Sequence, residues 1–218
     1  MNPVDAVDAT PERELARLLE DVTAYAVRFK KPRDRLLDVP HISYQTGITP
    51  ERVRDLLGGA RFEREPAGAK EREAFRKGLV VQRLQFLRGT RLKEVAGRNG
   101  ELKKREYSLR EIEKSTLITY QHVAKILKGE SGASADHLGR LELFFCVDPG
   151  FCSKTEGTAL VGLLRQMVQS DLPKLATQVL LKGQRVALRN PGGGGIDPLR
   201  DLLPLLDKII QKRDENRP

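Results

Sequence analysis

STLITYQHVAKILKGESGASADHLGRLELFF, residues 115–145, carries two patterns at once. Val123, Ile126 and Leu127, then Leu138, Leu141, Phe144 and Phe145, recur at the spacing of two helices that each bury one face. On the first of these helices, Thr119, Tyr120, Gln121, His122 and Lys125 place polar groups where a purely structural helix needs none. That face is offered to a partner.

Upstream, Ser108 followed three residues later by Glu111 makes a capping box, so a helix starts there, and Gly129 is placed to end the helix with the polar face. In a helix-turn-helix of this kind the second helix enters the major groove of DNA, whose width admits one helix. The residue types suit that task. Gln121 can pair bidentately with adenine and Lys125 with guanine, while Thr119 and Tyr120 can bind phosphate or touch a thymine methyl, so these four are the expected base-reading set.

Charge favours the same partner. From Arg88 to Lys128, eleven Lys or Arg stand against five Glu, which is most of the formal net charge of +9. Arg88, Arg91, Lys93, Arg98, Lys103, Lys104 and Arg105 crowd the segment before the polar face and can rest on phosphates, giving affinity without sequence preference. Arg110, His122 and Lys128 join them as expected phosphate contacts.

HISYQTGITPERVRDLLGGARFE, residues 41–63, has the same spacing about 70 residues earlier. Gly47 can take the left-handed conformation of a tight interhelix turn, Ser43 is small where two helices cross, and Thr49-Pro50 supplies an N-cap and a first-turn proline. ISYQTGITPERVRDLLGG and IEKSTLITYQHVAKILKG agree at Ile, Thr, Ile-Thr, Val and Leu-x-Gly, which suggests an internal duplication. The outward face of this first motif would offer Thr49, Glu51, Arg52 and Arg54 as a second DNA surface, weaker because the Glu charge opposes phosphate.

The remaining chain reads as further helices, giving an all-α fold with helix-turn-helix DNA-binding domains and a C-terminal helical dimerisation module. A first helix is expected from about 11 to 29 on Leu15, Leu18, Leu19, Val22 and Ala26, and another from roughly 70 to 88 on Phe75, Leu79, Val80, Leu84 and Leu87. At 91–106 a GRNG centre predicts either a two-stranded hairpin or a mobile basic loop. Beyond 154, two helices broken before Pro173 precede RNPGGGG, a flexible linker, and a leucine-rich helix from Asp197-Pro198 that Pro204 kinks. Leu160, Leu163, Leu164, Met167, Leu202, Leu203, Leu206, Ile209 and Ile210 make an apolar surface that a second copy would cover. The organisation is therefore 1–66, a helical domain with the first motif; 67–153, the DNA-binding domain; and 154–218, the dimerisation domain.

YSLREIEKSTLITYQHVAKILKGESGASADHLGRLELFFCVDPGF, residues 107–151, resembles the lambda-repressor-like (Xre) helix-turn-helix family, with its order of S-L-R-E-I-A, then G-I-S-x-x-x-V-S-x-I-x-x-G, then a leucine helix and F-F-x-V-x-P-x-x-F. With the C-terminal helices, the order is similar to the EspR-like nucleoid-associated regulators of actinobacteria. That resemblance implies a homodimeric, sequence-specific transcriptional regulator on double-stranded DNA, or a DNA-bridging nucleoid protein. Glu113 replaces the family's small Ala and Leu117 its turn Gly, so an altered helix angle or a relaxed turn is expected here.

Other classes fit less well. The three histidines lie in different helices, and the chain has no P-loop, nucleophile elbow or Cys-His neighbours, so neither catalysis nor a cofactor is expected. Cys146 and Cys152 match no zinc pattern and read as small buried side chains. An adaptor or antitoxin on a helix-turn-helix scaffold is the non-DNA alternative. No run of 18 apolar residues exists and the acidic N-terminus lacks a signal-peptide pattern, so the expected place is the cytoplasm, on the nucleoid, with no membrane partner. A small-molecule effector is left open.

Overall fold

Most helices of the computed structural model, which describes residues 10–96 and 101–177, begin where a side-chain oxygen caps the first turn. Helix α1 (Pro11–Arg28) is capped by Thr10, α3 (Val39–Thr46) by Asp38, and α4 (Pro50–Leu57) by Thr49. Further on, Ser108 caps α6 (Leu109–Thr116) in a full capping box with Glu111, Thr119 caps α7 (Tyr120–Leu127), and Ser134 caps α8 (Ala135–Phe144). The short α2 (Arg33–Leu36), the long α5 (Ala69–Thr90) and α9 (Glu156–Gln166) complete the mostly helical chain. Between α5 and α6 lies a two-stranded antiparallel sheet, β1 (Lys93–Ala96) and β2 (Leu102–Arg105), paired Lys93 to Arg105 and Ala96 to Leu102. Of the two alternatives expected at 91–106, the strands form.

The pairs α3/α4 and α6/α7 share one local geometry. Gly47 (φ 69°) and Leu117 (φ 59°) both sit in the left-handed region at the end of the first helix. Thr46 donates to the Ile42 carbonyl and accepts from the Ile48 amide, at 2.7 and 3.4 Å; Thr116 does the same with Ile112 and Ile118, at 2.7 and 3.3 Å. The turn at Leu117 is therefore not relaxed by the missing glycine, because the threonine bonds and the Leu117 amide on the Glu113 carbonyl (2.8 Å) hold it.

The chain divides into two units, Met1–Arg165 and Gln166–Pro218. In the first, one core gathers Leu84 and Leu87 of α5 with Ile112, Ile118, Val123, Ile126, Leu141 and Phe145. Helix α9 returns to the N-terminal helices: a Cβ on Gly157 would lie 3.1 Å from Pro11 and 3.4 Å from Phe62, and Arg165 pairs with Glu14. Leu160 and Leu164 are fully buried in their own chain, so they are core and not the dimer surface expected of them. Leu163 and Met167 are half-buried.

In the second unit, Met167–Asp171 widens into a π turn and helix continues over 172–177. The break expected before Pro173 is replaced by this widening, which accommodates a residue with no amide hydrogen and a ring that crowds the preceding turn. Arg98 and the GRNG turn, the glycine linker, and the tail carrying Leu202, Leu203, Leu206, Ile209 and Ile210 lie outside the described residues. Cys152 is buried, which pushes its thiol up to about 12, whereas Cys146 is exposed, against expectation, because its left-handed backbone (φ 53°) ends α8. Among the described residues, no helix is long and apolar enough to cross a membrane.

Candidate nucleic-acid interface

Helix α7 has only eight residues, so its inward side must be anchored from outside the helix. Val123 and Ile126 are 1% exposed and fix that side in the core. At the C-terminal end, Gln85 of α5 donates from Nε2 to the Leu127 carbonyl at 3.1 Å, satisfying one of the acceptors that a helix end leaves open. At the N-terminal end, the Nε2 of His122 is hydrogen-bonded to the Nδ1 of His137 on α8 at 3.2 Å. One ring carries the shared proton and the other the lone pair. His122 is thus half-buried against α8, with its Nε2 committed to His137.

Opposite this anchored side stand Tyr120, Gln121 and Lys125, all exposed, with Gln121 and Lys125 one turn apart on the same face. The Gln121 amide touches the Tyr120 hydroxyl at 3.4 Å. Thr119 accepts from the His122 amide at 3.4 Å, which leaves its hydroxyl hydrogen able to donate outward. Thr119, Tyr120 and Gln121 stand at the leading end of α7 and Lys125 one turn further on, all four exposed. Arg110 is exposed near the start of α6, and Lys128 is exposed at the end of α7 with Glu130 3.9 Å away.

The basic hairpin is tied down at its root. Lys93 and Arg105, directly opposite each other across the strands, converge on Oε1 of Glu111, whose Oε2 accepts from the Ser108 amide and hydroxyl at 2.8 and 2.9 Å. Lys93 foremost, then Ser108, holds the Glu111 carboxyl down at about 2. Arg88 pairs with Glu106 at 3.0 Å. Arg91 stacks on Tyr44 of α3, 3.2 Å from the ring centroid, and donates to its carbonyl at 3.0 Å. Arg88, Arg91, Lys93 and Arg105 are consequently structural in whole or part, while Lys103 and Lys104 on the fully exposed β2 keep their charges outward.

The first motif differs at the corresponding positions. Arg52, expected outward, is bonded bidentately to Glu156 of α9 at 2.7 to 3.2 Å and to the Arg61 carbonyl at 2.9 Å. Arg54 pairs with Glu51 at 3.5 Å, and the Thr49 side chain caps α4. Asp55 occupies the place that Lys125 has in the second motif. This face carries little free positive charge.

Sequence reasoning missed the positioning residues Gln85, His137 and Arg140, whose guanidinium donates to the Thr116 carbonyl at 3.3 Å behind the turn. Polar residues interrupting apolar helical stripes were the available signal. It also missed Arg83, 1% exposed, which bonds the Thr46 carbonyl and lies over Phe151, joining α5 to the end of α3. Burial lowers its pKa to about 10, so it stays charged at neutral pH. Among the described residues, no group of three His, Cys, Asp or Glu could hold a metal ion. The chain matches no family model, and neither a curated protein nor a solved structure matches it.

Proposed function

We propose that this chain is a sequence-specific duplex-DNA-binding regulator of the lambda-repressor-like type, acting as a homodimer, with α7 in the major groove. The observation that carries this reading is α7 itself. It is a short helix held at both ends and along its buried side, whose free side presents Tyr120, Gln121 and Lys125. Side chains that read bases gain specificity when their backbone is fixed, because a wrong base then leaves a donor or acceptor unmatched. Lys103, Lys104, Arg110 and Lys128, all exposed, supply the phosphate contacts that bring the helix onto the duplex.

The test begins with selection of a preferred duplex from a random pool. Gln121→Ala and Lys125→Ala should each weaken binding to that duplex by roughly 5- to 150-fold, the equivalent of about 1 to 3 kcal/mol per base contact, while thermal melting stays the same. Unchanged affinity in both variants would overturn the assignment of α7.

A further inference from the structure

Ahead of α6 in the second motif stands the basic hairpin; ahead of α3 in the first stands Lys30-Lys31-Pro32-Arg33-Asp34-Arg35. We propose that Lys30, Lys31, Arg33 and Arg35 form a second phosphate-binding surface for duplex DNA, through which the first motif holds the DNA backbone without reading bases. This rests on the DNA reading of α7.

The backbone of this segment is built. Lys30 takes a left-handed conformation (φ 49°) after α1, with its amide on the Val27 carbonyl at 3.3 Å and the Lys31 amide on the Ala26 carbonyl at 2.9 Å. Glycine usually fills that place, so a lysine there keeps a charge at a steric cost. Pro32 then restricts the chain and its carbonyl accepts from the Arg35 amide at 3.1 Å, opening α2. All four cations are exposed, and none of them is in an ion pair among the described residues.

Three acids lie nearby: Asp34 within the segment, Asp38 three residues after Arg35 as the cap of α3, and Glu20, which lines a shallow depression with Arg33 and Thr23. The four cations outnumber them. The contrast with α4 decides the mode of contact. Its Arg52 is bonded to Glu156, its Arg54 to Glu51, and Asp55 replaces the second motif's lysine. Free cations in front of a helix whose own face is neutralised can position a duplex but cannot discriminate its sequence.

The combined variant Lys30→Gly, Lys31→Gln, Arg33→Gln and Arg35→Gln keeps the left-handed turn feasible. Titrated over a range of salt on the preferred duplex and a scrambled one, it should bind both more weakly by the same factor. The slope of log affinity against log salt should fall by about 2 to 4 per protomer. A complementary variant, Asp34→Lys, should steepen the slope and tighten both duplexes, so the proposal stays testable even if the fourfold variant unfolds. Wild-type affinity and slope in both variants, or a loss confined to the preferred duplex, would overturn it. If Gln121→Ala and Lys125→Ala weaken binding while these variants do not, this inference alone fails; if the wild-type chain binds neither duplex, the α7 reading fails with it.

Discussion

Gly47 and Leu117 occupy the same left-handed turn position in the two helix pairs, and their surroundings explain why the residues differ. A Cβ on Gly47 would lie 2.6 Å from the Phe151 ring and 2.8 Å from the Arg83 guanidinium. Leu117, by contrast, is 79% exposed, so its turn meets only the intrinsic penalty of a side chain at positive φ. Leu117→Gly should therefore stabilise the protein by about 0.5 to 1 kcal/mol, the relief of the turn exceeding the added freedom of the unfolded chain, and raise the melting temperature by about 2 °C. Gly47→Ala should destabilise it by roughly 2 to 4 kcal/mol, from strain and overpacking together. Differential scanning calorimetry of both variants checks the pair; a lower melting temperature for Leu117→Gly would mean that the exposed leucine makes a contact worth more than the strain.

Among the elements, the hairpin depends most on one side chain. Glu111 completes the capping box of α6 by accepting from the Ser108 amide and draws in Lys93 and Arg105 from opposite strands, so its charge couples the sheet to the helix. Its proton comes on near 4.5 when free but only near 2 in the folded chain. The stability that this depression contributes is complete above about pH 4.5 and is lost as pH falls towards 2. Thermal melts of wild type and Glu111→Gln should then differ at pH 7, draw together as pH falls below about 4.5, and converge only below about pH 2. A difference of the same size at both extremes would mean that the carboxylate charge is not what holds the sheet. The first motif is fixed in another way, by Arg52 on Glu156, so its α4 face is committed to its own chain.

At the scale of the whole molecule, the core claims part of the apolar surface proposed for a second copy. Leu160 and Leu164 complete the core of the first unit, so the proposed contact with a second copy falls to Leu163 and Met167, which are half-buried, and to the leucines and isoleucines of 202–210. Light scattering of the full chain at micromolar concentration should give a dimer, and of a chain ending at Arg165 a folded monomer. That shortened monomer should bind the preferred duplex more weakly, because the second reading helix no longer benefits from tethering. A monomeric full chain would sink the dimer, and a shortened chain that unfolds would show that the tail stabilises the first unit.

Much of this was legible in sequence because helix signals act within a turn or two. Thr49 and Ser108 marked their helix starts, Gly47 its left-handed turn, and the polar face of α7 stood out against Val123 and Ile126. The tertiary structure decided which charges are free. Arg52 meets Glu156 across 104 positions, Arg91 meets Tyr44 across 47 and Lys93 meets Glu111 across 18. A surplus of cations is a property of composition, but their availability depends on which carboxylates and rings the packing brings within a few ångströms. Local rules also identify an amphipathic helix without naming what covers it, which is why only the fold could assign Leu160 and Leu164 to the core.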